Sequence, residues 1–239
     1  TDRSIRRGDT MTTTTPLRFK VTPHVLQDLG LNLYTSLPRV LVEFVANAYD
    51  ADSPYAKITM DFDRIEKARK EVKRQWEIER TKAELARMEA GDDHPGAAGV
   101  EPLGERTLPE DVTIEIEDHG HGMSRDDLAN KFLVAGRRRR EEDKEGVRSP
   151  GGRIVMGRKG LGKLAGFGVA RKITVISRKI GESYATKIVL DYDELIKKRS
   201  TDEIEVYDEI VPDGGGLEPS GTRIILSKLV YEPLKNREA

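Results

Sequence analysis

Hydrophobic and polar positions along the chain alternate with two different periods, and these periods predict both strands and helices. Alternation at every second residue is typical of a half-buried strand, whereas apolar spacing of three or four residues is typical of a helix. The predicted strands are Leu17–Val21, Lys57–Phe62, Val112–Glu117, Ile173–Ser177, Ser183–Leu190, Ile204–Val211 and Thr222–Leu229. The predicted helices are Pro23–Leu29, Leu37–Asp50, Arg64–Met88, Arg125–Leu133 and Lys163–Val169.

The helix Leu37–Asp50 carries three polar side chains, Glu43, Asn47 and Asp50, among mostly apolar neighbours. Their spacing of i, i+4 and i+7 places them in one stripe. A helix that is apolar almost all round is expected to be buried, and buried polar groups need partners. The pattern therefore predicts a stripe that faces a ligand, a metal or a water-filled cavity. The alternative is an amphipathic surface helix whose stripe faces solvent.

The stretch Arg64–Met88 is different, because its few apolar residues recur at helical intervals among many Lys, Arg and Glu residues. It predicts one long exposed helix, either a solvated arm or half of a helical hairpin or coiled coil. A loop rich in Gly, Pro and Asp follows it, and we expect residues 64–104 to form one insertion. The polar residues 1–16 are expected to form a disordered tail.

Composition changes this picture mainly by exclusion. The 239 residues carry a net charge of −1, which gives the whole chain no electrostatic bias towards nucleic acid or membranes. The chain has no cysteine and four scattered histidines, which argues against disulfides, thiol chemistry and a histidine-rich metal site. No apolar run is long enough to span a membrane, and the sequence does not begin with a secretory pattern. We expect a cytoplasmic protein with no membrane partner.

A second candidate site lies at Asp118, which ends a predicted strand and is followed by Gly120 and Gly122. Glycines allow a backbone to turn sharply and to approach a ligand closely. A buried carboxylate beside such a turn can accept a hydrogen bond from the amino group of a flat ring. An ordinary Asp/Gly turn is the alternative for this motif taken alone.

A glycine-rich segment, Gly157–Gly168, leads into a predicted helix. Backbone N–H groups at such a helix start favour phosphate. The segment nearly matches a P-loop, but Leu164 stands where the magnesium-binding Ser or Thr belongs. It also matches a loose dinucleotide fingerprint, although a long charged loop precedes it where that fingerprint requires a strand.

In this order, the motifs resemble those of the GHKL ATPase superfamily, which comprises gyrase-type topoisomerases, ninety-kilodalton heat-shock chaperones, histidine kinases and mismatch-repair MutL proteins. The matching pieces are Glu43–Ala51, Asp118–Gly122, Gly157–Gly168 and Gly221–Thr222, the last of which alone predicts only a turn. The glycine-rich piece is most similar to bacterial chaperone-like and microrchidia-like ATP-binding proteins. The resemblance implies an α/β Bergerat fold, a two-layer sandwich with a mixed, mostly antiparallel sheet, helices on one face and here a long helical insertion.

The resemblance also implies a role for each site residue. Glu43 would activate the attacking water, and Asn47 would bind the Mg²⁺ that bridges the phosphates of ATP. Asp118 would accept the adenine amino group, and Thr222 would support the base through water. The other nucleotide-binding residues would line the base pocket or hold phosphate: Asp50, Ala51, Gly120, Gly122, Met123, Gly160, Leu161, Gly162, Lys163 and Leu164. The loop at about 134–158 would be the ATP lid.

These roles imply an ATPase that hydrolyses ATP slowly with Mg²⁺, closes its lid, and switches conformation or forms an ATP-dependent homodimer. The ATP-binding domain would span residues 17–239, as the N-terminal part of a larger protein. The alternative is a nucleotide-sensing interaction module with little or no hydrolysis, whose 64–104 insertion docks an unidentified protein partner. Histidine kinases usually carry another residue where Asp50 stands. A role beside nucleic acid gains no support from the net charge.

Overall fold

A computed structural model describes residues 17–20, 36–90, 99–134, 148–156, 162–197 and 203–234, and strands make up its centre. The strands are β1 Leu17–Lys20, β2 Ala56–Met60, β3 Ile114–Asp118, β4 Ala170–Arg178, β5 Ala185–Asp191, β6 Glu203–Val206, β7 Asp208–Val211 and β8 Gly221–Leu229. Six of them form one sheet in the order β2-β3-β8-β4-β5-β7, while β1 and β6 form a separate pair. Every pairing between the described strands is antiparallel.

Helices pack on one face of the large sheet. They are α1 Leu37–Asp50, α2 Phe62–Glu89, α3 Arg125–Asp127 and α4 Tyr192–Lys197. A capping box at Ser124 starts α3, which continues into a π-helical turn, Leu128–Phe132. A 3₁₀ helix, Gly162–Gly168, packs against α1. The predicted α/β two-layer fold is confirmed.

The core lies between this sheet face and the helices. Ile114, Leu226 and Ile173 occupy paired positions on three neighbouring strands and are fully buried. Val40 and Phe44 of α1 belong to the same cluster. Because side chains alternate along a strand, every second residue of the central strands contributes to this layer.

The expectation that α1 is buried almost all round is wrong. Only one side packs on the core, through Val40, Phe44 and Ala48. The opposite side leaves three large apolar side chains exposed: Val42, Val45 and Tyr49. The polar stripe lies between these two sides and is half-buried. The reason is architectural, because a helix on a single sheet layer is covered only on the side that faces the sheet.

The predicted long charged helix is confirmed, as α2 extends over 28 residues, or about 42 Å. It leaves the sheet after Met60, which pairs with Ile114 at the end of β3 opposite Asp118. Its buried residues are Ile65 and Ala68, both in the first two turns. The indole N–H of Trp76 donates to the carbonyl oxygen of Glu101 at 3.1 Å, so the returning chain lies against the middle of the helix.

Two further sequence predictions need correction. Ile204–Val211 forms two strands, because around the exposed Tyr207 the chain leaves the pairing with β1 and joins β5. The segment predicted as a helix at Lys163–Val169 is buried at 165–167 as expected, but it is a 3₁₀ helix. The helix predicted at Pro23–Leu29 and the tail 1–16 lie outside the described residues. In the described part of the chain, no helix combines the length and the apolar character needed to cross a membrane.

Candidate functional site

Polar side chains are concentrated at one end of the sheet, on the face that the helices cover. Asp118 of β3, Thr222 of β8 and Ser177 of β4 pair across three neighbouring strands. Thr186 of β5 continues this row beside Ser177. We call these four residues the polar rung. The three hydroxyl residues are buried, although the inward positions further along the same strands are apolar.

Asp118 is the acid of the polar rung, and its Oδ1 accepts a hydrogen bond from Gly120 N–H at 2.9 Å. Burial raises the pKa of Asp118 above the ordinary value of 3.8, because the ionised carboxyl group loses hydration. Backbone N–H groups of Gly120 and Thr222, together with the nearby His121, oppose this shift. A buried acid with a perturbed pKa is typical of a ligand-binding position.

Glycine is required where backbones meet beside the polar rung. Gly122 has a φ of +61°, and a Cβ at this position would lie 1.9 Å from the carbonyl oxygen of Arg178. A Cβ at Gly120 would lie 2.3 Å from the carbonyl oxygen of Ala51. That same oxygen accepts a hydrogen bond from His121 N–H at 2.9 Å. The turn after Asp118 therefore packs directly against the end of α1.

The predicted site residues of α1 are spread along its length. Ala51 and Asp50, at the C-terminal end, lie beside the turn that follows Asp118. Glu43 and Asn47 are half-buried on the flank of the helix, with Glu43 about 12 Å from Ala51 along the axis. The polar stripe of α1 therefore begins beside the polar rung and extends away from it along the helix.

Residues 148–156, which we call the docked segment, pack on the turn after α1. Asp52 adopts a left-handed backbone conformation with a φ of +62°. Its carboxylate accepts hydrogen bonds from Ser149 Oγ and from Gly151 N–H, the latter at 2.7 Å. The hydrogen bond from Ser149 is the largest cause of a lowered pKa for Asp52. The carboxylate form of Asp52 therefore holds the docked segment in place.

Two more contacts attach the docked segment to α1. The Asp50 carboxylate accepts a hydrogen bond from Met156 N–H at 2.7 Å. The Arg153 guanidinium donates to the carbonyl oxygen of Ser53 at 2.7 Å and lies 5.0 Å above the ring centroid of Tyr49. Asp50 therefore positions the chain that enters the glycine-rich segment, a contact that the sequence did not indicate.

The predicted phosphate site is described in part. Gly160 and Leu161 lie outside the described residues. Gly162, Lys163 and Leu164 form the first half of the 3₁₀ helix that packs on α1. The end of the glycine-rich segment therefore lies against the helix that carries Glu43 and Asn47.

The residues present fit a magnesium ion whose ligands are mostly water molecules and oxygens of a bound substrate. Within the described ranges, no group of three or more His, Asp or Glu side chains is arranged to hold a metal ion. Mg²⁺ usually keeps several waters and binds through one or two protein oxygens plus substrate phosphates. The single amide oxygen of Asn47, half-buried on the flank of α1, suits that mode of binding.

The structure brings residues to this region that sequence reasoning missed. Asp52 and Arg153 were missed because their contacts join segments about a hundred positions apart, as in the 100-residue separation of Arg153 and Ser53. Ser177 and Thr186 had a visible signal. Both are polar residues at inward positions of strands whose other inward residues are apolar.

A known protein family matches the middle of the chain, which carries part of this site. The family described as histidine kinase-, DNA gyrase B- and HSP90-like ATPase matches residues 104–216. This range includes Asp118, the docked segment, the glycine-rich segment and Ser177. It begins after α1 and ends before Thr222, so the match itself does not cover Glu43 or Asn47.

Two proteins are similar to the chain at the level of sequence. "Putative type II restriction enzyme HgiDII" of Herpetosiphon aurantiacus is 27% identical over 206 residues, which are 86% of this chain and 25% of that protein. "Chaperone protein HtpG" of Mycolicibacterium gilvum (strain PYR-GCK) is 30% identical over 118 residues, which are 48% of this chain and 17% of that protein. The matched parts therefore cover a quarter or less of either relative's own length.

Proposed function

Because this chain belongs to the histidine kinase-, DNA gyrase B- and HSP90-like ATPase family, we propose that it binds ATP with Mg²⁺ and hydrolyses it slowly. Family membership supports ATP binding itself. We further propose that binding closes a lid at about 134–158 and drives a conformational or dimerisation switch in a larger cytoplasmic protein. The observation that carries this proposal is the packing of the Asp118 turn against the end of α1.

Asp118 and Thr222, which form one end of the polar rung, would recognise the base. The Asp118 carboxyl group would accept a hydrogen bond from the adenine amino group, at the point where Gly120 and Gly122 let the backbone approach closely. Thr222 would add a second polar contact beside it. Met123 packs against the core and follows the turn directly, so it is suited to cover one face of the ring. A mostly apolar pocket with a few fixed polar groups is the usual form of such a site.

The stripe on α1 would serve the phosphate end. Glu43 would orient the attacking water and accept its proton. Asn47 would hold Mg²⁺, which when bound would neutralise phosphate charge and align the terminal phosphoryl group. Positioning is the main requirement of phosphoryl transfer, and both residues lie on a helix fixed to the core by Val40 and Phe44.

The decisive experiment separates binding from turnover. Glu43→Gln keeps the size of the side chain but removes the base, so the variant should bind ATP like the wild type and lose at least about a hundredfold in turnover. Glu84→Gln, on the exposed part of α2, is a matched control that should change neither quantity. Unchanged turnover in Glu43→Gln would refute the assigned role of Glu43, and no ATP binding by the wild type would refute the whole proposal.

A nucleotide-sensing interaction module is the second candidate, and α2 is the observation that favours it. The outer half of this helix exposes three large apolar side chains: Ile78, Leu85 and Met88. Removing residues 64–104 would also remove the buried Ile65, so a shorter deletion is cleaner. Joining Arg80 to Gly99 retains both partners of the Trp76–Glu101 hydrogen bond. Loss of partner or dimer formation with unchanged ATP binding would support this candidate.

The relative named as a restriction enzyme suggests a third possibility, a role in a DNA-acting protein. The net charge of −1 gives the whole chain no electrostatic support for that role. A direct test is DNA binding by the full chain at low and moderate salt, because phosphate contacts weaken steeply as salt rises. Binding that does not change with salt, or no binding, would count against a role beside DNA and would leave the ATPase proposal untouched.

A further inference from the structure

We propose that Ser177 is a positioning residue that fixes the direction of the Thr222 hydroxyl and thereby favours a 6-amino purine over a 6-oxo purine. The inference rests on the proposed function, since it concerns the base of the nucleotide bound there. Ser177 is fully buried in the middle of the polar rung. It contacts both the backbone of Met123 and the side chain of Thr222.

The Ser177 hydroxyl has three hydrogen-bond partners. Its Oγ lies 2.9 Å from Met123 N, 3.2 Å from the carbonyl oxygen of Gly221 and 2.9 Å from Thr222 Oγ1. A serine hydroxyl has one proton to donate and two lone pairs to accept with. The Met123 N–H can only donate and the Gly221 oxygen can only accept, so they occupy one lone pair and the proton.

The remaining lone pair of Ser177 can only accept a hydrogen bond. When all three contacts are satisfied, Thr222 must therefore donate its hydroxyl proton to Ser177. This arrangement is preferred because a buried polar group that lacks a partner lowers stability. Thr222 Oγ1 is then left with lone pairs alone for any group on its other side.

Two neighbouring acceptors are the result. Thr222 pairs with Asp118 across the strands, and the Asp118 carboxylate is an acceptor as well. A purine that carries an amino group at position 6 donates a hydrogen bond to such a pair. When both acceptors are directed at position 6, a purine with a carbonyl oxygen there presents another acceptor, so acceptor faces acceptor and binding weakens.

Thr186 provides a matched control for this inference. It lies next to Ser177 in the polar rung, is equally buried, and has a hydroxyl with no partner among the described residues. Replacing Thr186 with Val removes a hydroxyl of the same burial from the neighbouring strand. It does not remove any of the contacts that direct Thr222.

The test compares the dissociation constants of ATP and inosine triphosphate, which carries a 6-oxo group, for the full chain with Mg²⁺. In Ser177→Ala, Thr222 regains a proton to donate, so the preference for ATP should fall about fivefold, the equivalent of one hydrogen bond. Thr186→Val should keep the wild-type preference. Ser177→Cys, which keeps the shape of the side chain but bonds weakly, should shift the preference in the same direction and serves if the Ala variant does not fold.

Each outcome is informative. An unchanged preference in both Ser177 variants, or an equal loss of affinity for the two nucleotides, would overturn the inference while the proposed function stands. The same shift in Thr186→Val would also overturn it, because the effect would then belong to any hydroxyl of the rung. Failure of the wild type to bind either nucleotide would refute the proposed function, and this inference with it.

Discussion

The polar rung lies at one end of the sheet and α2 begins at the other, and the two regions are held by different kinds of contact. Beside the rung, backbones touch at Gly120 and Gly122, and hydroxyl groups are buried. Along α2, two buried residues attach the first two turns to the core, and exposed ion pairs such as Arg74–Glu71 cover much of the rest of the helix. Exposed ion pairs add little stability, whereas a close backbone contact tolerates no added atom. The site end is therefore specified residue by residue, and the arm mainly by its helical pattern.

The largest expected effect is at Gly122. Gly122→Ala places a methyl group 1.9 Å from the Arg178 carbonyl oxygen in a left-handed backbone conformation, and we expect it to lower the free energy of unfolding by about 4 kcal/mol or more. Gly152→Ala is the control, because Gly152 also has a positive φ, +88°, but has no atom within 4 Å of the added carbon. That variant should lose only about 1–2 kcal/mol. Equal losses in urea denaturation would contradict the role of close packing at the site.

Within α2, the loss of stability on substitution should decrease with distance from the buried first two turns. Ile65→Ala empties a buried position and should lower the free energy of unfolding by about 3 kcal/mol. Leu85→Ala, at a side chain that is 55% exposed, should change it by less than about 0.5 kcal/mol. Chemical denaturation of both variants measures the difference. A large loss for Leu85→Ala would show that the outer half of α2 is packed in solution.

We expect the Asp118 carboxylate to strengthen ATP binding while it destabilises the unliganded chain. Asp118→Asn removes the buried charge, so the unliganded chain should become more stable at neutral pH, while ATP binding weakens about tenfold or more. Because the folded pKa of Asp118 is raised, the wild type loses stability as pH rises from 3.8 through the folded pKa. The stability difference between variant and wild type should therefore grow over that interval. Denaturation midpoints at several pH values test this, and a difference that does not vary with pH would contradict it.

The smallest expected effect is at the contact that holds the returning chain against α2. Trp76→Phe removes the hydrogen bond to the carbonyl oxygen of Glu101 and should lower the free energy of unfolding by about 1 kcal/mol. Arg74→Ala breaks an exposed ion pair two residues earlier and should leave the denaturation midpoint unchanged. If the two variants behave alike, the Trp76 contact does not stabilise the arm.

Much of the fold could be predicted because local periodicity determines it. The bounds of α1 match the prediction, and the alternation of the central strands located each of them to within a few residues. The break at Tyr207 was missed, although the acid Asp208 interrupts the apolar alternation there, because a change of pairing partner leaves no local signal. The exposed side of α1 was also missed, because apolar composition does not reveal how many layers surround a helix.

The candidate site was predictable where short motifs carry it. The acid at Asp118 and its glycines lie within five residues, and the structure shows what each glycine accommodates. The contacts of Asp52 and Arg153 with distant partners left no local signal. Ser177 left one, a hydroxyl where the strand pattern calls for an apolar residue, and its meaning became clear only beside Thr222 and Met123.

The docking of residues 148–156 on the turn after α1 has a consequence for how the chain folds. Its hydrogen bonds join positions that are 97–106 residues apart, so a long loop must close before any of them forms. Contacts of such high sequence separation are expected late in folding. Competence to bind nucleotide would then arrive late in folding, and an occupied site would mark a chain whose distant segments have already come together.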